Sequence, residues 1–148
     1  MAKDLHDYNI IFVGMQKTAG ILNNYFDRSA FGFEHPPKDH YLLQKGAHNL
    51  IFAPIGDPNH NHTDYGIIAK YPGPNDNTIF LFSGLWDSAA SESIRNLTLE
   101  SKIIEVENYM MDQLGYIPPF FEMLIEVNGV DRVGFETKIL HLFEIQAK

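Results

Sequence analysis

The sequence predicts an α/β (or α+β) fold: a single mixed β-sheet with hairpins, covered by about three helices. Three observations carry this expectation. Residues 9–14 and 78–84 each read as an apolar strand ending in glycine, followed by a short loop that opens a helix. These are Rossmann-like strand–loop–helix junctions. The run Pro72-Gly73-Pro74-Asn75-Asp76-Asn77 divides two strand-like segments as a turn does. Strand and helix patterns also alternate along the chain, and the hairpins argue against a purely parallel sheet.

The elements follow in order. Residues 9–13, Asn-Ile-Ile-Phe-Val, form a continuous apolar run, the pattern of a strand buried on both faces. Residues 17–28 read as a helix with Ile21, Leu22, Tyr25 and Phe26 on one stripe. Phe31-Gly32-Phe33 suits a short strand, and His35-Pro36-Pro37 breaks any regular element. Residues 41–55 read as two strands about a turn at Lys45-Gly46, and residues 56–62 as a polar loop. Strands at 64–71 and 78–82 flank the proline-rich turn and suggest an antiparallel hairpin. Helices are expected at 88–97 and 100–114. The second has Ile103, Val106, Met110 and Leu114 on its buried face, Gly115 as a left-handed cap, and Pro118-Pro119 beyond it. In residues 121–127, Phe121, Met123, Ile125 and Val127 alternate with Glu122 and Glu126, which suits a strand with a solvated glutamate face. Asn128-Gly129 suggests a turn, and residues 138–145 a last strand.

Composition narrows the function. The chain has 148 residues, 45% of them hydrophobic, which fits one globular domain over 1–148. A formal net charge of −8 argues against nucleic acid and anionic membrane surfaces as partners. The apolar runs are too short for a membrane span, and the first residues carry acid where a secretory signal would be basic and then apolar. There is no cysteine. The expectation is a cytoplasmic protein without a cofactor.

The two junctions are the candidate ligand site, because helix N-termini present unpaired N–H groups and ligands of open α/β sheets sit over such junctions. Gly14, Lys17 and Thr18 belong to the first, and Gly84, Trp86, Asp87 and Ser88 to the second. Lys17 suits an anion, Trp86 a stacking surface, and Ser88 the N-cap of its helix. From Ile10 to Thr18 the first junction resembles the phosphosulfate-binding loop of sulfotransferases, a strand followed by Gly-x-x-Lys-x-Gly-Thr-Thr. Ala19-Gly20-Ile21 stands where that loop has Gly-Thr-Thr. His60-x-His62-x-Asp64 resembles the opening of the His-x-His-x-Asp-His signature of metallo-β-lactamase-like hydrolases, with Tyr65 in place of the last histidine. This loop is read as solvated, with no metal site. His35, His40 and His48 have no ligand-like spacing, and no Ser-His-Asp set can be placed together from the sequence.

The functional expectation is a sensor-like domain that binds an anionic or nucleotide-type small molecule without an assembled catalytic set. One alternative is an enzyme on a nucleotide-like metabolite, with Asp87 or Asp64 as acid/base. The other is an interaction domain anchored by exposed Tyr41, Tyr71 or Trp86. The sequence leaves the oligomeric state open.

Overall fold

The computed structural model describes residues 4–34, 41–46 and 50–147. His35-Pro36-Pro37, His40 and His48 lie outside them. Among the described residues the strands are β1 (Ile10–Gly14), β2 (Phe31–Glu34), β3 (Tyr41–Gln44), β4 (Ile51–Phe52), β5 (Ile55–Gly56), β6 (Asn61–Pro72), β7 (Thr78–Gly84), β8 (Phe121–Val130) and β9 (Val133–Glu144). The helices are α1 (Asp4–Asp7), α2 (Asn23–Phe26), α3 (Asp87–Arg95) and α4 (Glu100–Leu114). None is long and apolar enough to cross a membrane.

The fold is α+β, a mixed sheet with a second, smaller sheet. The main sheet runs β1-β7-β6-β8-β9, with β5 pairing to the start of β6. β1 and β7 are parallel, with Ile10 opposite Ile79 and Gly14 opposite Ser83. The remaining pairs are antiparallel, and β6–β7 forms the expected hairpin about the proline-rich turn. The small sheet, β2-β3-β4, lies with α2 over one face of the main sheet. There Phe31, Leu42, Tyr65, Ile67, Tyr71, Leu81 and Leu124 share one core. Helices α3 and α4 cover the other face, packing Ala89, Val106 and Met110 against Ile68, Phe82, Met123 and Ile125.

Helix α3 approaches the sheet closely because glycines lie beneath it on three strands. A Cβ on Gly66 would stand 3.1 Å from the Ala89 side chain, and one on Gly84 would stand 2.4 Å from the Ala90 nitrogen. One on Gly134 would stand 2.4 Å from Glu92 Cγ. Helix α4 ends as its sequence predicts, with Gly115 at φ +81°.

Several sequence expectations are corrected. β1 is an edge strand and is not buried on both faces: Ile11 is 67% exposed and Val13 48%. No continuous helix spans 17–28. Gly20 adopts φ +59° and breaks the segment into two 3-10 turns, Gln16–Thr18 and Gly20–Leu22, before α2. Residues 61 and 62 belong to β6 and not to the preceding loop. The last hairpin turns at Asp131-Arg132, both at positive φ, while Asn128-Gly129 marks a register shift inside the ladder. Glu122 is not solvated. The second layer covers its face, leaving it 2% exposed, with its carboxylate accepting from Tyr71 Oη and from the Ala30 N–H, each at 2.8 Å. Glu126 is half-buried and accepts from Tyr65 Oη at 3.0 Å. Tyr71 is 1% exposed, so it is no surface anchor.

Candidate functional site

The two junctions do come together. Parallel pairing of β1 with β7 puts Gly14 and Ser83 side by side, so both strands end at the same rim of the sheet. The chain leaves the two strands in different ways. After β1, Lys17 is exposed in a 3-10 turn, and Thr18 Oγ1 donates to the Met15 carbonyl at 2.8 Å. After β7, Gly84 is buried beneath α3, Trp86 is half-buried, and Asp87 is exposed and paired with Arg132 at 3.0 Å.

The N-terminus of α3 already holds a carboxylate, that of Asp64. From β6, Asp64 accepts from the backbone N–H of Trp86 at 3.1 Å and of Ala89 at 2.9 Å. It also accepts from its neighbour Tyr65 at 2.8 Å. Trp86, not Ser88, is the N-cap residue, and its side chain makes no capping bond. The cap is supplied across the fold by a residue on another strand. Alternation along β6 explains the aim: Asp64, Gly66 and Ile68 share the face toward α3. Asp64 is fully buried, and desolvation outweighs its donors and pushes its carboxyl up to about 6.

Ser88 joins this network. Its Oγ lies 2.7 Å from His62 Nε2 and 3.3 Å from Asp64 Oδ2. His62 Nδ1 lies 2.9 Å from the His60 carbonyl. A carbonyl only accepts, so in the neutral ring Nδ1 carries the hydrogen and Nε2 accepts from Ser88. The fold therefore assembles a serine, a histidine and an aspartate that sequence spacing did not bring together. Asp64 faces the serine and the helix N–H groups, whereas a triad needs its acid on the imidazole. His62 is 6% exposed and Ser88 1%, and the His62 ring packs edge-on against Trp86. The arrangement fastens α3 to β6 and keeps the hydroxyl away from solvent. His60 points elsewhere, pairing with Asp57 at 3.3 Å on the surface. No three metal-ligating side chains of the types His, Cys, Asp or Glu cluster among the described residues.

Among the described residues, two of the hollows on the surface stand out, and none of the seven residues expected at the junctions lines either. One, of about 320 Å³, lies beside His62, Thr63, Asn128 and Glu136. The larger, of about 530 Å³, is at the opposite end of β7, between α2 and the β6–β7 turn. Arg28, Tyr25, Phe120, Asp76 and the backbone about Gly73 line it. The Arg28 guanidinium sits 5.8 Å from the Tyr25 ring centre and 5.5 Å from that of Tyr71. Tyr71 is in turn anchored to Glu122. Among the described residues Arg28 has no ion-pair partner. Sequence reasoning missed this residue. Its one local signal is the spacing of Tyr25 and Arg28, three apart at the end of a helical segment.

Comparison with protein-family models, with curated proteins and with solved structures finds no match.

Proposed function

We propose that this chain is a cytoplasmic small-molecule-binding domain whose ligand carries an anionic group, held by Arg28 in the larger hollow. The observation that carries the reading is a guanidinium without an ion-pair partner among the described residues, stacked near two tyrosines and facing a 530 Å³ cavity. That volume is within the range of small-molecule sites, which pair apolar walls with a few polar groups. The guanidinium offers a planar fork suited to a carboxylate or phosphate. The rim after β7 is less suited to an anion, because Asp64 already takes the first-turn N–H groups of α3.

The test is a thermal-shift and calorimetric screen with phosphate, sulfate, nucleotides and organic carboxylates. A ligand at about 100 times its Kd should raise stability by about 2.7 kcal/mol. Arg28→Gln should abolish that shift, and Arg28→Lys should keep part of it. Binding that survives Arg28→Gln and is lost in Lys17→Ala would return the site to the β1 junction. An anionic panel without a single binder would overturn the reading altogether.

A further inference from the structure

The larger hollow carries a second charge of opposite sign. Asp76 lines it together with Arg28, and the two are not ion-paired with each other. Asp76 makes no side-chain hydrogen bond among the described residues. It is presented from the tight β6–β7 turn at φ +57°. Gly73 N–H donates to the Asn77 carbonyl at 2.7 Å, and Asn77 Oδ1 accepts from the Asn75 N–H at 3.1 Å, so the turn that carries Asp76 is internally braced. Phe120 and Pro72 line the same hollow and supply apolar wall.

Resting on the proposed anion site at Arg28, we propose that the ligand is a zwitterion of amino-acid type, with its carboxylate on Arg28, its ammonium at Asp76 and an apolar or aromatic side chain against Phe120. A cation and an anion left unpaired in one cavity each lack a counter-ion that such a ligand supplies. A simple anion satisfies Arg28 and leaves Asp76 facing it as a like charge. A simple amine has the reverse fault. Specificity for the zwitterion thus comes partly from repulsion of molecules bearing only one of its charges.

The experiment compares L-phenylalanine, 3-phenylpropanoate and 2-phenylethylamine by calorimetry on the wild-type chain and on Asp76→Asn. Asparagine tolerates the positive φ of this position, so the variant removes the charge and spares the turn. Phenylalanine should bind about tenfold or more tighter than either analogue, and Asp76→Asn should bring it level with 3-phenylpropanoate. Equal binding of phenylalanine and 3-phenylpropanoate to the wild type overturns the zwitterion while leaving the anion site at Arg28 standing. So does an Asp76→Asn variant that keeps the preference. Failure of all three probes also overturns it, and the wider anion screen then decides separately whether Arg28 binds any ligand. Circular dichroism of each variant confirms that the fold is retained.

Discussion

Asp64 on β6 holds the first turn of α3 through the Ala89 N–H, with 2.9 Å between its Oδ2 and the Ala89 nitrogen. A strand residue thereby does what a residue of the helix's own segment normally does. Removing the whole acceptor should be costly. Asp64→Ala strands the N–H groups of Trp86 and Ala89 in the interior and is expected to destabilise the fold by about 3 kcal/mol. Asp64→Asn keeps an oxygen on the Ala89 N–H and deletes a buried charge, but turns its NH2 toward the Tyr65 N–H, so its cost should be smaller, about 1–2 kcal/mol. Urea unfolding with an unchanged m-value is the measurement.

The same residue sets a pH dependence. Its carboxyl is pushed from 3.8 up to about 6 in the folded state. The native chain then binds this proton more tightly than the unfolded chain does. Stability contributed here is present in acid, falls as pH rises from about 4 to about 6, and levels off above that. A gap of this size corresponds to about 3 kcal/mol. Burial raises the Glu122 carboxyl as well, so its contribution has the same sign. Urea midpoints should be lower at about pH 7.5 than at about pH 4.5, and Asp64→Asn should flatten the profile. A wild-type midpoint that climbs across this interval refutes the assigned sign.

Ser83 is fully buried, and its hydroxyl has no hydrogen-bond partner among the described residues. Ser83→Ala removes a desolvated group that gains nothing in return. The variant is expected to be more stable by about 1 kcal/mol, read as a rise in the urea midpoint. A loss of stability would mean that the hydroxyl is satisfied after all.

Gly66 allows both a strand pairing and a helix contact. A Cβ there would stand 2.5 Å from the Ser83 carbonyl oxygen and 3.1 Å from Ala89 Cβ. The first of these is backbone and cannot rotate away. Gly66→Ala should cost about 2–3 kcal/mol, as overpacking does, and calorimetric melting would record it as a lowered Tm.

Ile11 and Ile68 test the layer assignment. Ile68 is fully buried between β6 and the helices, and Ile11 is 67% exposed on the edge strand. Ile68→Ala is expected to cost about 3 kcal/mol and Ile11→Ala less than about 1 kcal/mol. Comparable losses in denaturant titrations would show that something covers the edge.

Much of the fold is legible in the sequence because local chemistry dictates it. Helix α4 has its apolar stripe and Gly115, and the β6–β7 hairpin has its proline-rich turn. Sequence and structure part where the outcome depends on distant neighbours. The apolar run of β1 suggests burial on both faces, but sheet order is not a local property and puts it at the edge. Glu122 alternates as a solvated residue would, yet a layer formed by residues almost a hundred positions away covers it and supplies its donors. Gly20 is the local warning against a continuous helix over 17–28. The Asp64–Ser88–His62 network is illegible because its members meet only when α3 docks on β6. Arg28 escapes notice for a related reason: its cavity is bounded by the turn after β6 and by Phe120, both far along the chain.

The parallel pairing of β1 with β7 also bears on how the protein is made. Asn9 meets Thr78 across 69 positions, and Ile10 has no partner until Ile79 exists. At about 5–20 residues per second, a ribosome exposes the uncharged segment Ile-Ile-Phe-Val for several seconds before its mate emerges. During that interval its apolar side chains have no sheet to pack against. The β1–β7 seam can therefore close only once β7 has been made, and the seams that β8 and β9 form can close only after that.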